Sequence, residues 1–331
     1  MNVRIRAVVL VATAMLGLQS GVPAGAQTPA PPKTGESAPT LAPAPKPVVV
    51  QPRRFASAEE AVQALVAAMR AGDMKALVGI LGSEGRTLVS SGDPVADRHG
   101  RERFLQEYDA ANRLVDTGSA MSLHIGGDDW PFPIPLVKDR ERWRFDVRQG
   151  REEVIARRVG RNELNTIQVC LAYVDAQREY YAEDRNGDGI LEYAKQVASA
   201  PGKRDGLYWP TQPGEPASPL GDLVVRATAS GYRLGKTAGP TPFHGYLFRI
   251  LTGQGPAARD GAYDYVVKGH MIAGFGLVAY PAQYGVSGVM SFIVNHDGIV
   301  YQKDLGPGTA TAAGAMRRFN PDKTWTETSV P

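Results

Sequence analysis

The stretch from Asn162 to Lys195, NELNTIQVCLAYVDAQREYYAEDRNGDGILEYAK, does most to restrict what this chain can fold into. Leu164, Ile167, Leu171 and Val174 recur every three or four positions, which predicts an amphipathic helix. Such a helix buries that stripe and leaves Gln168, Asp175 and Arg178 in water. It runs directly into DRNGDGILEY (184–193), the densest ligand-like motif in the sequence. The residues before it read as one domain, and those after it as a second domain built on the helix.

Residues 1–26 read as a cleaved export signal. Arg4 and Arg6 make a basic start, Ala7 to Leu18 is an apolar run too short to span a bilayer comfortably, and Ala24-Gly25-Ala26 is a small-residue cleavage site. No cysteine follows the run to carry a lipid, and no later segment is apolar enough to be a transmembrane span. The expected location is the periplasm or the outside of the cell. Residues 27–53 are rich in Pro, Ala and Thr without periodicity, which predicts a disordered linker. The formal charge is +3, and loss of Arg4 and Arg6 leaves +1, so the chain lacks the basic balance of a general nucleic-acid binder. Cys170 is the sole cysteine, so no internal disulfide forms. Its place between Val169 and Leu171 suits a buried small hydrophobe better than a reactive thiol.

The first domain, expected over 54–150, opens with a capping box, Ser57-x-x-Glu60. Val62, Leu65, Val66 and Met69 then form a helical stripe that Gly72 ends. Asp73 caps a second helix, and Asp93-Pro94 opens a third running towards Tyr108. Met121 to Ile125 and Arg142 to Val147 alternate as strands, whereas three prolines in Trp130 to Pro135 exclude a central strand there. Helix resumes from Arg151, and Gly160 predicts a break before the organising helix. The second domain, 151–331, continues through a turn-rich stretch, 198–245. It ends in short strand-like runs at 246–251, 263–268, 275–280, 289–294 and 299–303. Asn295-His-Asp-Gly298 reads as a hairpin turn with positive φ at Gly298. The fold class is therefore α+β. N-terminal helices cover a curved antiparallel sheet, and a long helix packs on a second antiparallel sheet.

Helices followed by a sheet ending in WRFD (143–146) resemble the nuclear-transport-factor-2-like cone fold, and AVQALVAAMRAGDMKALVGIL (61–81) is similar to the opening helix pair of its small exported members. The helix, the Asp-rich loop ending in Glu-Tyr and the sheet phrase SFIVNHDG (291–298) resemble the globular heads of type IV pilin-like and pseudopilin-like proteins. The apolar stem of a pilin is missing, because 61–81 is interrupted and charged. End to end, the chain resembles the exported bacterial domain-of-unknown-function family numbered 2950. The matching phrases are SSGDPVADR (90–98), DDWPFPIPLVK (128–138), RRVGRNEL (157–164), PGKRDGLYWP (201–210), YGVSGVMSFIVN (284–295) and VYQKDLGP (300–307). That resemblance implies export and supplies no activity.

Sites for chemistry are few. HExxH, a P-loop and a dinucleotide fingerprint are all missing from the sequence. An enzyme would place substrate in the cavity of the first domain, with His124, Asp128 and Asp146 as polar groups. The loop after the organising helix offers more. Asp184, Asn186 and Asp188 occupy positions 1, 3 and 5 of an EF-hand-type loop, with Gly189 at 6, the Ile190 carbonyl at 7 and Glu192 at 9. Hard oxygens on a tight turn suit Ca2+. Position 12 is Lys195 where a bidentate Glu is usual, so Glu192 has to substitute. The alternative is a plain turn in which the Asx side chains satisfy backbone donors. The expected function is a non-catalytic envelope or interaction module that binds an envelope protein or small ligand, calcium-stabilised through Asp184, Asn186, Asp188, Ile190 and Glu192. The competing expectation is an enzyme or small-ligand binder using the first domain's cavity.

Overall fold

Three helix starts in the first half are set by side chains that accept the free N–H groups of the first turn. Ser57 Oγ accepts from Glu60 N at 3.1 Å and Glu60 Oε2 accepts from Ala56 N at 2.8 Å, which fixes the start of α1 (Ala58–Ala71). Gly72, at φ 62°, closes that helix. Asp73 accepts from Ala76 N and starts α2 (Met74–Leu81). A short turn of 3-10 helix (Ser83–Gly85) leads into α3 (Arg86–Val89). Asp93, followed by Pro94, caps α4 (Pro94–Ala110). The computed structural model describes residues 49–233 and 241–329. The expected signal, 1–26, and most of the expected linker lie outside the described residues. The linker's last residues are docked: Val50 exchanges hydrogen bonds with Ser83, and Arg53 N donates to Gly79 O.

The helices cover an antiparallel sheet of β1 (Asn112–Asp116), β2 (Met121–Ile125), β4 (Leu136–Asp139) and β5 (Arg142–Phe145), paired in that order. Between β2 and β4 in the chain, β3 (Trp130–Pro131) makes a two-residue pairing with β2, as the prolines around it require. Leu65, Leu77, Leu123, Leu136 and Phe145 form the centre of this core and are almost fully buried.

Helix α5 (Val147–Tyr181) is 35 residues long, about 52 Å, and belongs to both halves. Val147 and Val154 pack in the first core, and Ile167 onward in the second. The helix runs through Gly160 without the expected break, and a Cβ at Gly160 would meet nothing within 4 Å. At Gly150, a Cβ would lie 2.1 Å from Pro133 O, so glycine there permits the helix to touch the chain before β4. The buried stripe also differs from the expected one. Leu164 is 52% exposed, while Thr166, Cys170, Tyr173, Gln177 and Tyr180 face inward beside Ile167 and Val174. Apolar spacing missed this face because part of it is polar and hydrogen-bonded.

After α6 (Gly221–Ala229), the second half is mostly sheet. Its strands are β6 (Tyr246–Leu251), β7 (Gly253–Gln254), β8 (Tyr263–Asp264), β9 (Val266–Val267), β10 (His270–Met271), β11 (Gly276–Pro281), β12 (Met290–Asn295) and β13 (Tyr301–Asp304). Then come α7 (Thr309–Ala315), β14 (Arg318–Phe319) and β15 (Thr326–Glu327). The main sheet is antiparallel, in the order β15-β13-β12-β11-β6. Leu277, Ala279, Phe292 and Val294 face the core that α5 covers. Val278 and Ile293, the alternate positions, face a smaller cluster with Ala313 of α7 and Phe319. The sheet is thus buried on both faces, and the architecture is α+β. Gly298 stands at φ 81° in the expected turn after β12. Among the described residues, no helix is long and apolar enough to cross a membrane.

Candidate metal centre

The loop that follows α5 is held at both ends. Gln177 Oε1 accepts from Ala194 N, and its Nε2 donates to Ala194 O, each at 2.8 Å. The chain after the loop is therefore pinned back on the helix that precedes it. The same amide donates to Tyr173 Oη, which donates to Gly276 O. Tyr193 N donates to Met271 O, and Lys195 Nζ to Gly269 O, so the β9–β10 hairpin closes over the loop. That hairpin turns at Lys268 and Gly269, both with positive φ, as a type I′ turn needs.

Inside the loop, Gly187 and Gly189 have φ of 77° and 83°. Their N–H groups donate to the two oxygens of Asp184, at 2.8 Å each. These bonds, Gly189's first, hold the Asp184 carboxyl below the usual aspartate range. Asp188 accepts from Ile190 N at 2.9 Å, and Asn186 Oδ1 from Asp188 N at 3.1 Å. The Ile190 side chain is exposed.

Ligand atoms of Asp188, Glu192 and His270 all lie within 4.8 Å of one another. Two ligands of one cation stand at most about 4 to 5 Å apart, twice a metal–ligand bond, so this group is close enough to share an ion. His270 Nδ1 is 3.2 Å from Glu192 Oε2 and 3.5 Å from Asp188 Oδ2. Asn186 Nδ2 bridges the same two carboxylates, at 2.8 Å from Asp188 Oδ2 and 2.7 Å from Glu192 Oε1. Both donors occupy the ground between two negative groups. An amide turned by 180° would present Oδ1 there instead, a hard oxygen suited to a cation. Glu192 is buried, and Met271 N also donates to it at 3.3 Å. Lys195, at position 12 of the loop, sits 4.0 Å from Glu192 and offsets part of the acidic charge.

Of the expected ligands, Asn186, Asp188 and Glu192 come together. Asp184 stands outside the Asp188–Glu192–His270 group and braces the loop backbone. Spacing along the chain had no means of finding His270, which reaches the site only because the hairpin folds back. The other expected polar trio does not assemble. His124 bonds Asp129, Asp128 is exposed, and Asp146 lies beside Arg144 and Gln149. None of the three lines the cavity between α4 and α5, and Asp146 alone lines a second cavity, beside Val49 to Arg54. On β2 the residues that reach inward are Leu123 and Ile125, so His124 between them faces the other way.

An α+β chain in which one long helix serves two cores, with an Asp-rich loop at the helix end, is the class of protein the structure defines. The chain belongs to the family described as "Protein of unknown function (DUF2950)", whose model matches residues 52–328. No curated protein and no solved structure matches it.

Two stretches within the matched range tie distant parts of the chain together. Asp93, in SSGDP, is 1% exposed and accepts four hydrogen bonds. Val95 N and Ala96 N donate to Oδ1, while Tyr232 Oη and Gly245 N donate to Oδ2. In GRNEL, Asn162 donates to Ser287 O, and Glu163 accepts from Val289 N and Met290 N at 2.9 Å each. These contacts dock the loop before β12 onto α5.

Proposed function

We propose that the protein is an exported, non-catalytic module of the cell envelope or secreted fraction, whose second half is braced by a divalent cation. The observation that carries this reading is the convergence of Asp188, Glu192 and His270 where a helix, a loop and a hairpin meet. A cation there ties three chain segments together, which is a stabilising role. Ca2+ is the first candidate, because carboxylate and amide oxygens dominate the set. The imidazole makes Mn2+ and Zn2+ its competitors. Export is supported by the pattern of residues 1–26. A non-catalytic role is supported by the dispersal of His124, Asp128 and Asp146. The cone-like reading of the first half is supported by its helices on an antiparallel sheet. The pilin-head reading of the second is supported by the order of helix, acidic loop and sheet. The partner on this reading is an envelope protein or a small ligand.

The test is titration of the purified protein with CaCl2, MnCl2 and ZnCl2 in a calorimeter, with melting curves in chelator and in each metal. A loop with this few carboxylates should bind Ca2+ with Kd of about 10⁻⁴ to 10⁻³ M. At about 1 mM Ca2+ that adds about 0.4 to 1.4 kcal/mol to stability. Asp188→Ala and His270→Ala should abolish the heat. Unchanged melting in chelator, with no heat for any metal, refutes the reading.

A further inference from the structure

The first half holds a cavity of about 550 Å³ between α4 and α5, within the usual span of small-molecule sites. Its floor is apolar, formed by Leu77, Leu81, Leu88 and Val89, and Phe104 and Phe132 meet edge to face at 5.3 Å on one wall. Five arginines line it against two carboxylates, Asp97 and Glu107.

Three of those arginines are engaged. Arg158 donates to Thr87 O and Leu88 O. Arg157 pairs with Glu153 and lies 5.1 Å over the Trp130 ring. Arg101 rests on Met74 Sδ. Arg103 of α4 and Arg161 of α5 make no hydrogen bond or ion pair among the described residues. Burial, then the nearby charge of Arg103, lowers the Arg161 pKa. The carboxylates do not answer them. Asp97 is taken up by the Ser91 N–H and hydroxyl, and the Glu107 carboxylate lies against Gly126. Two guanidiniums therefore line one cavity from opposite helices, at its exposed side, above an apolar floor.

We infer that this cavity binds a small amphiphilic anion, its acidic head between Arg103 and Arg161 and its apolar body on the Leu77–Leu81–Leu88 floor. A guanidinium offers a planar fork of donors that fits a carboxylate or a phosphate, and an anion relieves the repulsion between the two. Both a free fatty acid and a phosphorylated amphiphile have this chemistry.

The experiment is calorimetric titration of the full chain with decanoate, decyl phosphate and decanol, repeated on the Arg103→Gln/Arg161→Gln double variant. Decanoate or decyl phosphate should saturate at one per chain, and whichever binds more tightly tells the carboxylate source from the phosphate source. Decanol should bind at least ten-fold more weakly. The double variant should lose at least ten-fold in anion affinity at an unchanged melting temperature, because neither arginine has a partner among the described residues. Three results overturn the inference: no saturable binding of either anion, decanol binding as tightly, or a double variant that binds as tightly. A double variant that fails to fold also overturns it, since the guanidiniums would then be holding the protein together.

Discussion

The two halves are closed by different means. Among the described residues before α5, the buried polar side chains are Ser91 and Asp93, and the core is aliphatic and aromatic, built on helices whose caps lie within a few residues. From α5 onward, Asn162, Gln177, Glu192, Gln254, Ser287 and Asn295 are buried as well. Their hydrogen bonds often cross long stretches of sequence, as between Asn162 and Ser287 or Glu192 and Met271. An apolar core tolerates many packings, whereas a buried amide is stable only where its partners lie. The first half is therefore specified by volume and pattern, and the second by pairing. That difference also explains why the candidate cation site sits in the second half: its loop is held by Gln177 at one side and by the hairpin at the other.

The comparison breaks most sharply with two substitutions of similar cost and different reach. Leu65→Ala should destabilise by about 2 to 5 kcal/mol through the cavity it leaves, with the Ca2+ heat unchanged. Gln177→Leu leaves the N–H and C=O of Ala194 unpaired, at about 1 to 3 kcal/mol for each group. It should also weaken Ca2+ binding, because the loop loses its anchor. Denaturant melts beside Ca2+ titrations measure both effects. Equal loss of Ca2+ binding in both variants would mean that the halves are not specified separately.

Alkaline melts probe the face of α5 buried in the second core. Burial pushes the Cys170 thiol up to about 12 from 9.0. The unfolded chain then gives up this proton first, so the stability is whole below pH 9.0 and drains as pH rises towards 12. Each unit of separation corresponds to about 1.4 kcal/mol. Cys170→Ala should flatten this decline, measured from pH 8 to 11, though Tyr180, also raised to about 12, keeps part of it. A decline as steep in the variant removes the thiol from the account.

The smallest effect tests the unbroken helix. Gly160 is exposed and unobstructed, so Gly160→Ala should stabilise by about 0.5 to 1 kcal/mol in denaturant melts. A loss of stability would show that the helix needs a hinge there after all.

What the sequence determined by itself is local. Ser57, Asp73 and Asp93 start helices because a side-chain oxygen beside a first turn has one use, and Gly72 ends one because its φ is positive. The prolines around Trp130 kept that segment to an edge pairing, and alternation located β2 and β5 but not β1 or β4. Spacing also marked Asn186, Asp188 and Glu192. Tertiary structure alone decided the rest. It brought His270 to that loop, gave Asp93 its two distant partners, Tyr232 and Gly245, rotated the buried face of α5 onto Thr166, Gln177 and Tyr180, and set Arg103 opposite Arg161. The physical reason is the same in each case. A polar side chain has no periodic signature, and its worth depends on a partner that folding brings from a distant part of the chain.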